Sequence, residues 1–263
     1  MKANKKNTWN RFFKTVLAAT ATVGTLFAAN LAEAAVSKNG RVLIVVSELD
    51  SNGSPELAPL YGALETLTQV TTNALLSSEY KQIYFLKNRL ATATAYANTI
   101  RLLSEDPSVQ AIDTIMSVHG STGRLSFADG RRSMADIERA VFPAGMNAST
   151  EATIRRKLRM MYNLSCFGRS HNATFRAMGY DIVAGSEGVN ANSAVEFGPV
   201  LTNWKLGGKF VDGFAVSNSD AALWVNDGPI RAAGEWQRNS LAQTNSKKVF
   251  AGFSATRINS DAR

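Results

Sequence analysis

Two short stretches of this chain carry residues able to move protons and attack carbonyl carbons near neutral pH: Ser117-Val118-His119-Gly120 and Leu164-Ser165-Cys166-Phe167-Gly168. Cys166 is the only cysteine among 263 residues, and His119 is one of two histidines. A thiol at its ordinary pKa of about 8.5 is only a few per cent thiolate at pH 7, so fast attack requires a base beside it. An imidazole suits that task, because it titrates near neutrality and can return the proton to a leaving amine. Gly120 allows its backbone to approach a substrate carbonyl closely. Its N–H and that of Cys166 would then form an oxyanion hole, each donor worth about 3 kcal/mol in comparable sites. The chemistry implied is acyl transfer, with Cys166 as nucleophile, His119 as base and the Gly120 and Cys166 amides as oxyanion donors.

Rival layouts are fewer. His171, five residues after the thiol, is the alternative base, and a lone cysteine also serves as a small buried hydrophobe. Ala184-Gly185-Ser186-Glu187-Gly188 approximates the G-x-S-x-G nucleophile elbow, but that fold requires its histidine after the serine, and both histidines precede it. Gly207-Gly208-Lys209 does not complete a phosphate-binding loop. Two histidines and one cysteine lack metal-ligand spacing, so neither a metal nor a cofactor is expected.

The elements that must position these residues alternate. Arg41 to Val46, Lys81 to Leu86, Gln110 to Val118, Leu158 to Ser165 and Tyr180 to Ser186 read as strands, with Lys247 to Phe253 as a sixth. Helical spacing marks Leu57 to Leu76, Thr92 to Leu103, Phe175 to Gly179, Ala194 to Leu206 and Phe210 to Ser217. A broken helical region covers Met134 to Lys157, interrupted by Pro143 and Gly145. Ser121 to Arg132 reads as a loop, whose Arg124, Arg131 and Arg132 offer a site for activating cleavage. The pattern specifies an α/β fold: a doubly wound, mostly parallel sheet of about six strands with helices on both faces. Functional groups of such sheets gather beyond the carboxyl ends of the strands. His119 and Cys166 each follow a strand directly.

A strand ending in His-Gly and another ending in Cys, 47 residues apart, resemble the caspase-like cysteine peptidases, the clan of caspases, clostripain, gingipains, separase and CHAT domains. The caspase signature is Q-A-C-[RQG]-G with its histidine about 50 residues upstream. Here the cysteine and the glycine two later match, whereas Leu164-Ser165 and Phe167 depart from it. From Phe175 to Asn218 the order of glycine, strand, polar turn and two helices is also similar to CHAT domains. The resemblance implies a caspase-like fold, a peptide or protein substrate, and the roles given above for His119, Cys166 and Gly120. It also implies that loops after the first and fifth strands line the pocket for the residue before the cleaved bond. These loops carry Glu48, Asp50 and Glu187, which would favour a substrate Arg or Lys.

The N-terminus predicts export. Lys2, Lys5, Lys6, Arg11 and Lys14 precede an apolar run from Val16 to Leu31 and an Ala32-Glu33-Ala34 site, the layout of a secretory signal peptide over 1–34. The remaining 35–263 form one domain, secreted or periplasmic, with no membrane contact after signal removal. Without the leader the formal net charge falls from +8 to +4, and its scattered basic residues exclude a nucleic-acid surface. An exported protein with one unpaired thiol points to a reactive cysteine. The alternative is a secreted, non-catalytic binding module on the same fold.

Overall fold

The computed structural model describes residues 35–50, 53 and 55–262; the signal peptide expected over 1–34 lies outside them. Strands β1 (Arg41–Glu48), β2 (Gln82–Lys87), β3 (Ala111–Ser121), β6 (Leu158–Asn163), β7 (Ile182–Ser186) and β8 (Lys248–Gly252) make one sheet in the order β2-β1-β3-β6-β7-β8. All neighbours pair in parallel except β7 and β8. The sixth strand therefore exists, but it turns the sheet mixed.

β1 is buried throughout, as its β-branched run requires of a strand covered on both faces. Its residues alternate between two cores. Val42, Ile44 and Val46 face α2 (Ala93–Glu105), α3 (Met134–Val141), α4 (Ala148–Lys157) and α5 (Asn172–Met178). Leu43 and Val45 face α1 (Ala58–Leu76) and α6 (Ser193–Lys205) on the other side. The sheet is doubly wound, as the alternation of elements implied. A further helix, α7 (Asp220–Gln237), and short 3-10 turns complete the chain.

The stretch read as a loop at Ser121 to Arg132 is instead a β-hairpin, β4 (Arg124–Phe127) and β5 (Gly130–Ser133), extending from the end of β3. Gly123 and Gly130 supply the positive φ its turns need, at +68° and +106°. Leu125 and Phe127 are fully buried and hold it down. The break expected near Pro143 and Gly145 falls between α3 and α4. A capping box from Ser133 and Asp136 starts α3, and the Asn147 side chain caps α4.

Under the sheet, the buried pair Arg159–Asp113 takes the hydroxyl of Tyr80, and Arg159 Nη1 donates to the Ser260 carbonyl at 2.8 Å. Arg41 Nη1 donates to the Ile258 carbonyl at 2.9 Å. The two guanidiniums bind the last turn of the chain to the core.

Candidate active site

Register sets the two sequence-predicted strand ends side by side. β3 pairs with β6 so that Met116 lies opposite Asn163. Three residues beyond this pair come His119, still on β3, and Cys166, in the loop past the end of β6. On the other side of β3, Glu48 pairs with Val118, so the chain leaving β1 at Leu49 is level with His119. The strand order reverses between β1 and β3, the crevice where ligands of open α/β sheets bind.

The two loops touch at Gly120. A Cβ there would sit 2.4 Å from the Cys166 carbonyl oxygen and 2.8 Å from the Ser165 Cβ and Oγ. Only a glycine permits that approach. Gly168, two residues after the cysteine, has a comparable reason: its Cβ would meet Gly185 Cα of β7 at 2.8 Å. Phe167 between them holds a left-handed backbone at φ 55°, and its N–H donates to the Gly188 carbonyl at 2.7 Å. A bulky residue in that region costs about 1–2 kcal/mol, so the chain keeps a strained turn immediately after the thiol.

His119 is partly buried, and its ring is oriented from two sides. Nε2 bonds the Leu49 carbonyl at 2.8 Å, and Tyr61 of α1 meets the imidazole edge-on at 4.8 Å between centroids. A carbonyl only accepts, so Nε2 carries the proton and the neutral ring keeps Nδ1 as its base. Leu49 is fixed in turn by its N–H, which donates to Glu65 Oε1 at 2.6 Å. Burial lowers the imidazole pKa, opposed by the Leu49 bond and the charge of Glu48. The Cys166 thiol is partly exposed, yet the protein crowds it enough to push its pKa up. The Asn190 N–H and the Lys248 ammonium work against that rise. Both shifts favour the uncharged form of each group.

Lys248 is itself sealed, donating to Asn190 Oδ1 at 3.0 Å and pairing with Glu196 at 2.8 Å, where Tyr162 also donates. Asn190 Nδ2 reaches back to the Leu164 carbonyl at 2.7 Å. A buried ion pair thus braces the β7 loop against the Cys166 loop. Nothing in the linear text marks these residues, or Leu49 and Glu65, as belonging to the site.

The three sequence-read carboxylates have different surroundings. Glu48 is buried at the end of β1, and Asp50 is exposed just beyond it. Glu187 follows β7, and both of its oxygens accept from Arg169 Nη1 at 2.7–2.8 Å. Its charge is shared with Arg169 in an ion pair that stays open to solvent.

His171, the rival base, is fully buried, with both ring nitrogens in use: Nε2 to the Ser121 carbonyl at 2.9 Å and Nδ1 to Asn163 Nδ2 at 3.0 Å. It has no nitrogen left for a thiol proton. Among the described residues no group of three or more His, Cys, Asp or Glu side chains could hold a metal ion. No described helix is long and apolar enough to cross a membrane.

No family model matches the chain, and no curated protein matches it in sequence. Solved structures do match in shape. Caspase-1 from Spodoptera frugiperda is similar with a TM-score of 0.50 at 10% identity, over 89% of this chain and 96% of that one. A secreted C11 cysteine protease from Bacteroides thetaiotaomicron, "iotapain", has a TM-score of 0.43 at 12% identity, over 71% of this chain and 64% of that one. The first of these likenesses is one of fold: the chain has a caspase-like fold.

Proposed function

We propose that this chain is an exported cysteine endopeptidase, with Cys166 as nucleophile and His119 as general base. The observation that carries the reading is the pinned imidazole: Nε2–H bound to the Leu49 carbonyl at 2.8 Å, on the strand end whose next residue, Gly120, lies against Cys166. In the proposed cycle Sγ attacks the scissile carbonyl carbon as His119 Nδ1 takes the thiol proton. The Gly120 and Cys166 N–H groups bind the oxygen that becomes negative. Collapse expels the amine, which leaves with the proton from Nδ1. A water molecule, deprotonated by the same nitrogen, then hydrolyses the thioester. The Leu49 carbonyl and the Glu48 charge favour the imidazolium that forms between these transfers.

Burial lowers His119 and raises Cys166, which supports proton transfer that accompanies attack over a standing thiolate–imidazolium pair. A preference for Arg or Lys before the cleaved bond would rest on the acidic loops after β1 and β7, where Asp50 is exposed, Glu187 shares its charge with Arg169 and Glu48 is buried. Export rests on the basic leader, apolar run and Ala-Glu-Ala site of 1–34.

The test is cleavage of fluorogenic Arg, Lys and Asp peptides by the purified protein, with and without iodoacetamide. Cleavage that is abolished by alkylation and by Cys166→Ala is expected. Full activity in Cys166→Ala sinks the assignment. A folded protein whose thiol resists iodoacetamide, and whose His119→Ala variant differs only in stability, is instead a binding module on this fold.

A further inference from the structure

His171 sits at the end of the 3-10 turn Gly168–His171, wholly buried and without a part in the proton transfers above. Its ring contacts land on the two loops that meet at the thiol. On one side Nε2–H donates to the carbonyl of Ser121, the residue after Gly120, at 2.9 Å. On the other, Nδ1 accepts from Asn163 Nδ2 at 3.0 Å and lies 3.4 Å from the Ser165 hydroxyl. Asn163 Oδ1 then accepts from Ser165 twice, from its N–H at 3.1 Å and its hydroxyl at 2.6 Å. Ser165 precedes Cys166 and is the side chain that Gly120 packs against.

We propose that His171 is a positioning residue for the oxyanion hole, a rigid spacer that sets the distance between the Gly120 and Cys166 amides. This rests on the reading of those amides as oxyanion donors. Each end of the bonded chain Ser121–His171–Asn163–Ser165 stops one residue short of a donor. Its direction is also fixed. The Ser121 carbonyl requires a proton on Nε2, and the two Ser165 donors turn the Asn163 oxygen toward them, leaving its NH2 for Nδ1. Flipping the amide would set donor against donor at Ser165. A flat ring with two opposed nitrogens spans the gap, whereas an aliphatic side chain would strand the Asn163 NH2 and the Ser121 carbonyl in the interior.

The role separates from simple stability by probe. Iodoacetamide alkylation needs the thiol but no oxyanion donor; a peptide aldehyde adds Sγ to its carbonyl carbon and leaves an oxygen that the two amides must hold. We compare the wild type, His171→Ala and His171→Gln with acetyl-tripeptide aldehydes ending in Arg, Lys or Asp, alongside iodoacetamide and kcat and KM on the matching substrates. In His171→Ala, aldehyde affinity and kcat are expected to fall about 10- to 100-fold, the scale of a displaced oxyanion donor. Alkylation rate and KM should stay within about two-fold. Gln, whose NH2 can still donate to the Ser121 carbonyl, should recover part of the loss, and it carries the test if the alanine variant does not fold. Aldehyde affinity unchanged in both variants, or aldehyde binding and alkylation lost in proportion, overturns the inference. A wild type that is alkylated but neither binds aldehydes nor cleaves peptides removes the peptidase reading, and the inference with it.

Discussion

Gly120→Ala adds one methyl group at the point where the two loops meet. The new Cβ would lie 2.4 Å from the Cys166 oxygen and 2.8 Å from Ser165 Cβ and Oγ. Ordinary contacts between carbon atoms are about 3.5–4.0 Å, so the Cys166 peptide must retreat by roughly 1 Å. Overpacking of that kind costs about 1–3 kcal/mol, which for a domain of this size lowers Tm by roughly 2–4 °C per kcal/mol. The catalytic cost is larger, because a misplacement of about 1 Å at the reacting centre removes roughly 100-fold in rate. The assay pairs kcat/KM on a fluorogenic peptide with a thermal melt. Gly62→Ala is the matched control: it lies within α1, and apart from its chain neighbours and its own helix backbone no atom lies inside 4 Å of its would-be Cβ. There the same methyl should stabilise by about 0.5–1 kcal/mol through helix propensity, with activity unchanged. A Gly120→Ala enzyme within two-fold of the wild type would refute the claim that this contact sets the geometry of the site.

Arg159→Met leaves Asp113 charged and buried without its cation; loss of about 3–5 kcal/mol is expected in urea melts, and a loss under 1 kcal/mol would count against the pair as a core anchor. His119 and His171 are both held neutral by burial. An unfolded imidazole takes up its proton below about pH 6.5, so stability is full above that pH and falls as pH drops toward the depressed folded values. Glu65, pushed up by burial, works in the opposite sense closer to the carboxylate range. Urea midpoints between pH 7.5 and 5.5 should therefore decline, and decline less in His171→Gln; equal slopes would contradict the assignment. The Cys166 thiol, raised by burial, should be alkylated by iodoacetamide at a rate that climbs through and beyond the ordinary thiol range near pH 8.5. A plateau reached by pH 6 would mean a standing thiolate.

Strand positions were the most legible part of this sequence. Val42 to Val46 and Met160 to Tyr162 are covered on both faces, and continuous burial leaves continuous apolar text. The placement of His119 and Cys166 followed from those strands, because a parallel sheet sends neighbouring strand ends to the same edge. The α7 helix was not legible: Gly228, Pro229 and Gly234 interrupt its 18 residues, and Trp224 and Trp236 are exposed, so no buried apolar stripe marks it. The β4–β5 hairpin was hidden by its arginines and glycines, since only Leu125 and Phe127 signal burial across so short a span. Supports of the site were hidden for a different reason. Leu49 acts through its backbone carbonyl, which no side chain announces. Glu187 looked free until folding placed Arg169 against it. His171 carries the same letter as a catalytic base, and only its occupied nitrogens set it apart from one.

The claim on which the rest depends is that His119 makes Cys166 a nucleophile in the folded protein. Intact-mass analysis after treatment with peptidyl acyloxymethyl ketones, for the folded wild type and for His119→Ala, measures this directly. One adduct per chain, at Cys166, is expected for the wild type, with labelling slowed by at least about 100-fold in His119→Ala, the usual contribution of a general base. A wild-type thiol that is labelled only after denaturation, or equal rates in the two proteins, would contradict the account.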